Sequence, residues 1–305
     1  MKLHEYYKDW VELYKRGAVR PVTLEKFLNT QRWIKSNFPE IGVRELDKRK
    51  YQMMINKYSE THEKQTVIDF HRNVKPAILD AMDEGLIKVD PTRKVTLKGK
   101  PPSPKKPKYI SREQLHALLK SLSISNKPDW DLFVLLLAKT GLRFSEALGL
   151  TKGDFDIPQH TLSISKTWNY KNAEGGFGEL KNRGSKRVIA IDPQLCAAFQ
   201  QVFQNSELSL KDEDPIFART RVFNSTVISH IKTLCERAGV PVISTHGLRH
   251  THASILLYEG ISILNISKRL GHSETTTTQE VYLHIIKELE EKESERIVQC
   301  LSELF

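Results

Sequence analysis

The chain has 305 residues, a mass of 35.1 kDa, a formal net charge of +10 and a sequence pI of about 9.3. Hydrophobic residues make up 39% and charged residues 28% of it, a composition that excludes an intrinsically disordered protein. The length favours two domains with separate cores. The positive charge favours a polyanionic partner such as nucleic acid over a basic surface without such a role.

The sequence also bears on the compartment. Its polar N-terminus lacks the apolar stretch of a secretory signal peptide, and no run approaches the ~18 apolar residues of a membrane span. The cysteines Cys196, Cys235 and Cys300 lie far apart and lack the spacing of metal ligands, which favours free thiols in a reducing compartment. We therefore expect a cytoplasmic protein.

Residues 1–87 carry apolar residues at helical spacing in four successive segments. The four sets are Leu3, Tyr7, Trp10 and Tyr14; Leu24, Phe27, Leu28 and Ile34; Tyr51, Met54, Ile55 and Tyr58; and Val67, Phe70, Val74 and Ile78. Pro76 falls inside the fourth set, where it predicts a kink or a split of the helix. The sequence therefore predicts an all-α helical-bundle domain over residues 1–87.

Residues 88–109 differ in composition, because basic residues and prolines replace the helical periodicity. A single acid, Asp90, stands against a set of cations: Lys88, Arg93, Lys94, Lys98, Lys100, Lys105, Lys106 and Lys108. This composition predicts an extended interdomain linker. Its lysines from Lys94 to Lys108 are expected to contact DNA phosphates, each displacing a counterion, and the alternative is a solvated spacer.

Residues 110–305 predict a second domain that is mostly α with a small β element, an α+β fold. Ser111 is expected to cap the first helix of this domain, and Trp130 to Lys139 form a long apolar helix. Gly141 is expected to end that helix in a left-handed conformation. Helical patterns resume at Pro193.

Two segments of the second domain alternate apolar and polar residues. Residues 161–166 and 187–191 therefore predict two strands of a hairpin or small sheet. The glycine-rich residues 174–178 lie between them and predict a long mobile loop.

Cationic and imidazole side chains recur in this domain where helices begin or turn. Arg143 follows a glycine at a helix break, His246 and Arg249 follow a turn, His272 occupies another turn, and Tyr282 follows ten residues later. Singly, each residue has an ordinary interpretation as a surface charge or a packed ring. Arginine binds phosphate through two parallel hydrogen bonds and histidine donates one near neutral pH, so together they suit an in-line displacement at a phosphate.

This combination resembles the tyrosine recombinases, also called the phage integrase family, across the whole second domain. Four segments in the family's order carry the resemblance: Thr140 to Leu148, His246 to Ala253, Leu270 to Ser273, and Thr276 to Tyr282. A single His-x-x-Arg would be weak, but four such segments in order are highly specific.

The resemblance implies a role for each of these side chains. Arg143 and Arg249 would clamp the scissile phosphate, His246 and His272 would hydrogen-bond to it, and Tyr282 would be the nucleophile. The implied reaction leaves a 3′-phosphotyrosine and a free 5′-hydroxyl and uses no metal, cofactor or ATP. The resemblance therefore implies a site-specific DNA recombinase or integrase.

The family also uses a lysine from a Lys-x-x-x-Ser-x-Arg pattern, which residues 180–189 match. Lys181 is thereby implied as the acid for the departing oxygen, and Lys166, at the end of the preceding strand, is the competing candidate. Glu146 matches the family's acidic partner, which orients a neighbouring catalytic side chain. A metal site on His246, His250 and His252 is disfavoured by Arg249 between them, and His250, His252 and His284 are expected to pack or hydrogen-bond structurally.

The resemblance further implies partners and an architecture. The two domains would form a C-shaped clamp around double-stranded DNA target sites, giving a cytoplasmic, DNA-associated enzyme. The helix predicted from Ile285 to Phe305 would dock on a neighbouring protomer in a homotetramer, or else pack on its own domain. Accessory DNA-bending or directionality proteins fit this scheme.

Other functions and boundaries stay open at this point. A type IB topoisomerase-like enzyme and a catalytically silent DNA-binding regulator are the alternative functions. Many integrases carry an arm-binding domain ahead of the helical one, and its absence here fits either a short member of the family or an excised fragment.

Overall fold

A computed structural model describes residues 1–102, 107–172, 174–180, 183–208, 210–272, 279, 282 and 301–302. The chain divides into two compact units, Met1–Lys105 and Lys106–Phe305. Within the described ranges, no helix is both long enough and apolar enough to cross a membrane.

Residues 1–102 contain four α-helices, as the apolar periodicity predicts. They are α1 (Leu3–Tyr14), α2 (Pro21–Asn37), α3 (Lys48–Ser59) and α4 (Lys64–Asp83). Tyr7 and Tyr51 are fully buried in their core. The ring of Trp33 meets Tyr58 and Phe70 edge-on, with centroids 4.9 and 5.1 Å apart. Such aromatic pairs stabilise a core beyond the area that they bury.

Pro76 does not split α4, which runs unbroken past it. Its ring is exposed, whereas Val74, Ala77 and Ile78 continue the buried stripe on the opposite side. A proline inside a helix costs about 3 kcal/mol, because it has no N–H to give to the carbonyl four residues earlier and its ring crowds that carbonyl. Burial of the stripe offsets this cost, so packing overrides the local preference.

The basic segment after α4 is extended, but much of it lies against the first unit. Val95 and Leu97 pack on the core of that unit. The backbone of Thr96 exchanges two hydrogen bonds with the side chain of Gln52, at 2.8 and 3.0 Å. A free linker would make no such contacts, so this part of the segment belongs to the first unit.

The end of this segment is also held. The amide of Lys100 donates to the carbonyl of His62 at 2.9 Å. A β-carbon on Gly99 would lie 2.5 Å from the backbone nitrogen of Lys64, so only glycine allows this approach. Because side chains alternate along an extended backbone, Lys98 and Lys100 stay exposed while Val95 and Leu97 face inward. The predicted boundary at residue 87 is therefore not where contacts with the first unit end.

The second unit combines seven described helices with short strands. The helices are α5 (Arg112–Lys120), α6 (Trp130–Thr140), α7 (Phe144–Leu148), α8 (Pro193–Gln204), α9 (Asn224–Arg237), α10 (Thr245–Tyr258) and α11 (Ile263–Leu270). Helix α6 is buried on nearly all sides and packs against α10. A helix that is apolar all round is a central core helix.

The strands form two small antiparallel sheets in the described residues. They are β1 (Phe155–Asp156), β2 (Thr161–Ile164), β3 (Thr167–Trp168), β4 (Phe177–Gly178) and β5 (Arg187–Ala190). One sheet has the order β1-β2-β5, with Thr161 opposite Ala190 and Ile164 opposite Arg187. This pairing confirms the two strands predicted from alternation.

The glycine-rich stretch is more ordered than the loop predicted for it. Phe177 and Gly178 pair with Trp168 and Thr167 in the second sheet. Gly175 has a φ of +70°, and a β-carbon there would lie 2.7 Å from the ring of Trp168. Gly175 thus serves close packing against an aromatic ring, which composition alone does not distinguish from mobility.

Two predicted helix ends are confirmed. The hydroxyl of Ser111 accepts from the amide of Gln114, and the Gln114 side chain accepts from the amide of Ser111. Gly141 ends α6 at a φ of +67°, and Gly271 ends α11 at the same angle.

We predict that Gly141→Ala destabilises the protein more than Gly260→Ala does. Both glycines have positive φ, which costs other residues about 1–2 kcal/mol. A β-carbon at Gly260 meets open space, but one at Gly141 would lie 2.7 Å from the buried ring of His252. Denaturant unfolding should give a loss of roughly 2–4 kcal/mol for Gly141→Ala. Equal losses for the two variants would contradict this account.

Candidate active site

The ends of α6 and α11 hold both predicted arginines. Arg249, on α10, donates from Nη1 to the carbonyl of Gly141 and from Nη2 to that of Leu270, each at 2.7 Å. Arg143, just before α7, donates from Nη2 to the carbonyl of Gly271 at 2.9 Å. The last carbonyls of a helix lack partners within it and carry the negative end of its dipole. They are therefore natural acceptors for guanidinium groups.

Arg249 is 2% exposed. Burial and then the nearby Arg143 lower the pKa of Arg249 to about 9, so its guanidinium stays charged at neutral pH. In the described contacts it uses two of its five N–H groups for carbonyls. The remaining donors can bind an anion that enters the site.

Glu146 is the buried carboxylate between the arginines, with 1% exposure. It accepts from Nη1 of Arg143 at 2.6 Å and from Nη2 of Arg187 at 3.0 Å. Burial alone would raise the pKa of Glu146, but Arg187 and Arg143 outweigh it and lower that pKa. Two guanidiniums thus contact one carboxylate, and that of Arg249 lies close enough to interact with it electrostatically, so the surplus positive charge suits a phosphate.

Arg187, at the start of β5, is a site residue to which the sequence assigned no role. Its Nε donates to the carbonyl of Arg269 at 2.6 Å and its Nη1 to that of Ser185 at 2.8 Å. The hydroxyl of Ser185 in turn donates to the carbonyl of Gly271 at 3.2 Å. Both residues belong to the Lys-x-x-x-Ser-x-Arg pattern, which was the available signal. They tie the sheet to the end of α11.

The predicted phosphate-binding histidines lie in the same electrostatic environment. Burial, followed by Arg249 and Arg143, lowers the pKa of His272 to about 4. The same causes, in the same order, lower the pKa of the more exposed His246. Both imidazoles are therefore mainly neutral at pH 7, when each carries one N–H that can donate to a phosphate oxygen.

The two other histidines of α10 have different roles. His252 contacts the carbonyl of Ala138 through Nδ1 at 3.0 Å and accepts from Nε of Arg269 through Nε2 at 2.9 Å. It is structural, as expected. His250 was given the same role, but its Nδ1 lies 2.9 Å from the hydroxyl of Tyr282. His284 lies outside the described residues.

Tyr282 is 2% exposed and packs with Ala253, Leu257 and Leu270. Burial raises the pKa of its phenol, and Arg249 offsets this only in part. The hydroxyl therefore keeps its proton at neutral pH. Attack on a phosphate requires that this proton go to an acceptor.

The structure brings Lys166 into a structural ion pair. Its Nζ lies 2.5 Å from a carboxylate oxygen of Asp154, which is mostly buried, and 3.2 Å from the hydroxyl of Thr151. Lys181 lies outside the described residues, so its position relative to the cluster stays a prediction. The engagement of Lys166 with Asp154 supports the preference for Lys181.

Known proteins resemble this chain at the level of family and fold. The model of the phage integrase family matches residues 108–288. An integrase of Staphylococcus phage L54a is 26% identical over 96% of this chain and 92% of its own length. The tyrosine recombinase XerA of Thermococcus kodakarensis is 32% identical over 62% of each chain.

Two solved structures share the fold. An integrase of the transposon Tn1549, in complex with transposon right end DNA, superposes with a TM-score of 0.76 and 18% identity, covering 97% of this chain and 99% of its own. A lambda integrase dimer bound to a core site superposes with a TM-score of 0.67 and 16% identity, covering 91% of this chain and 97% of its own.

We predict that Glu146→Gln lowers the free energy of unfolding by about 3 kcal/mol at pH 7, because it leaves buried guanidiniums without their carboxylate. The folded-state pKa of Glu146 is lowered, so its contribution is complete above the ordinary value of 4.5 and is lost as the pH falls from there towards the folded-state pKa. Unfolding curves at several pH values should show the difference from wild type shrinking in acid.

Glu236→Gln is the matched control. Glu236 pairs with Lys232 at 3.6 Å on the surface, where both side chains are more than half exposed. An exposed pair contributes little, so this variant should change stability by less than about 0.5 kcal/mol. A similar small effect of Glu146→Gln would contradict the role given to the buried carboxylate.

Proposed function

The chain belongs to the phage integrase family and is a tyrosine-type site-specific recombinase, and we propose that Tyr282 is the nucleophile with which it cleaves and rejoins DNA strands. The observation that carries the assignment is the cluster around the tyrosine hydroxyl. The hydroxyl of Tyr282 bonds His250, which directly follows Arg249 on α10. Arg249 and Arg143 in turn bond the consecutive carbonyls of Leu270 and Gly271 at the end of α11. Such a cluster has a nucleophile and two fixed cations for a developing phosphorane.

The reaction follows from these parts. Oη of Tyr282 attacks the scissile phosphorus, and the bond to the 5′ oxygen breaks, which leaves a 3′-phosphotyrosine. Arg143 and Arg249 hold the non-bridging oxygens, His246 and His272 donate hydrogen bonds to them, and Glu146 orients Arg143. Because the phosphotyrosine retains the energy of the broken phosphodiester, rejoining to another 5′-hydroxyl needs no ATP.

Double-stranded DNA is the proposed partner. The transposon and lambda integrases that share this fold are bound to DNA in their solved structures. Here Lys94, Lys98, Lys100 and Lys108 are exposed and can contact phosphates, and Lys105 and Lys106, outside the described residues, are proposed to join them. Phosphate contacts of this kind add affinity without direct sequence choice.

The assembly is proposed as a homotetramer on two DNA duplexes. Most of the segment from Ile285 to Phe305 lies outside the described residues, so its docking on a neighbouring protomer rests on the resemblance alone. The same resemblance supports two further proposals. One is that the two units form a C-shaped clamp around DNA, and the other is that accessory DNA-bending or directionality proteins take part.

We predict that Tyr282→Phe abolishes the covalent protein–DNA adduct while DNA binding stays near wild type, because only the attacking oxygen is lost. The substrate is a nicked duplex made from the DNA that adjoins the gene, and the adduct is read as a band that resists denaturing electrophoresis. Tyr258→Phe, at the exposed end of α10, is the control and should keep the adduct. An adduct that persists in Tyr282→Phe would sink the assignment.

A second experiment decides between the two lysines. Lys181→Ala should slow cleavage by about 10²–10⁴-fold, because a general acid for the 5′ oxygen is lost. A substrate with sulfur at the 5′ bridging position should restore the rate, since a thiolate leaves without a proton. Lys166→Ala should leave the rate near wild type and lower only stability. The opposite pattern would assign the acid to Lys166.

A further inference from the structure

The mechanism so far has an acid for the departing oxygen but no group that receives the proton of Tyr282. Building on the proposed nucleophile, we propose that His250 is a catalytic residue that accepts the hydroxyl proton of Tyr282 as its oxygen attacks the phosphate. Nδ1 of His250 lies 2.9 Å from that hydroxyl, which is hydrogen-bonding distance.

Helix α10 fixes the position of His250. The hydroxyl of Ser244 caps the helix by accepting from the amide of Gly247 at 3.0 Å. His246 and His250 are four residues apart and share a face, where their rings meet edge-on with centroids 4.5 Å apart. Arg249 is anchored to two helix ends directly beside His250. The imidazole is therefore held by the same helix that carries Arg249, one of the two arginines proposed to clamp the phosphate.

The contact with Tyr282 is a hydrogen bond rather than ring stacking. The ring centroids are 5.8 Å apart and the planes are inclined by 65°, while the hydroxyl lies against Nδ1. In the tautomer that carries its proton on Nε2, Nδ1 has a free lone pair and accepts from the phenol. Burial, followed by His246, Arg249 and Lys108, lowers the pKa of His250 to about 4, which keeps the imidazole neutral in the DNA-free protein.

The charges around His250 also determine at which point of the reaction it takes the proton. The cations Arg249 and Lys108 disfavour an imidazolium at His250 as long as no anion is present. A scissile phosphate between the arginines supplies negative charge, and this charge grows as the phosphorane forms. Proton acceptance is thus favoured only with DNA in the site, where it is needed.

Each bond change is accounted for. The bond from Oη to phosphorus forms as the Oη–H bond breaks, and the proton goes to Nδ1 of His250. The bond from phosphorus to the 5′ oxygen breaks, and that oxygen takes a proton from the proposed acid, Lys181. In rejoining, the imidazolium of His250 returns its proton to the departing phenolate of Tyr282.

Two substitutions separate proton acceptance from mere orientation of the phenol. His250→Asn keeps a side-chain oxygen that can accept the hydrogen bond but cannot take the proton, whereas His250→Ala removes both properties. We expect both variants to bind DNA and to slow adduct formation by about 10²–10⁴-fold. A near-wild-type rate for His250→Asn would mean that the contact only orients the phenol, and a near-wild-type rate for both variants would remove any role.

A tyrosine analogue provides the readout that a purely structural role would not move. Fluorine atoms on the ring of residue 282 lower the pKa of the phenol, so a fluorinated Tyr282 attacks as a phenolate without a base. We expect fluorination to raise the rate of His250→Ala while leaving that of the otherwise wild-type enzyme unchanged or lower. The same effect of fluorination in both backgrounds would overturn the proposal.

The 5′-sulfur substrate completes the design. This substrate should restore the cleavage rate of Lys181→Ala, as predicted above. It should not restore the rate of His250→Ala, because His250 acts on the attacking oxygen and not on the departing one. Restoration of His250→Ala by sulfur would assign His250 to the departing oxygen and overturn the proposal. Failure of Tyr282 itself as nucleophile is a separate outcome, since the adduct would then persist in Tyr282→Phe.

Discussion

The second unit depends on guanidinium groups that bind the carbonyl ends of two helices. Helices α6 and α11 both end at a glycine with positive φ, and the carbonyls of Gly141, Leu270 and Gly271 accept from Arg143 and Arg249. Burying a charge is costly unless it is hydrogen-bonded, and these acceptors offset that cost. The contacts that close the fold therefore also aim the two cations, so the site is organised before any phosphate arrives.

Sequence periodicity predicted most of the helices because an apolar stripe specifies a helix locally. It failed where packing or pairing with another part of the fold decides the structure. Pro76 is tolerated because the stripe around it is buried, and Phe177 and Gly178 form a strand because β3 lies beside them. The basic segment lies on the first unit because Gln52 and His62 bond its backbone. Gln52 and His62 are far in sequence from the backbone groups that they bond, whereas β3 and β4 are near neighbours along the chain.

The sequence likewise predicted some residues of the candidate site and missed others. The resemblance to the tyrosine recombinases implied Arg143, Arg249 and Tyr282 as site residues, because each lies within a short motif of that family. The bond between Arg187 and Glu146 depends on the pairing of β5 and on the position of α7, which no local pattern encodes. His250 was expected to pack or hydrogen-bond structurally, because its contact with Tyr282 spans thirty-two residues of sequence and no local pattern encodes it.

The docked basic segment has a consequence for affinity. The chain is anchored to the first unit at Lys100 and to the second at Ile110, whose amide donates to the hydroxyl of Thr251 at 3.1 Å. Tyr109 also packs against the cluster that contains Tyr282, so at most residues 101–108 separate the two anchors, and a chain of that length reaches only ~30 Å when fully extended. A tether this short keeps one unit at an effective concentration on the order of millimolar near the other, provided that its length spans their sites. If each unit binds DNA weakly, the linked pair would bind it tightly, and the chain would dissociate from DNA only when both units are unbound at the same time.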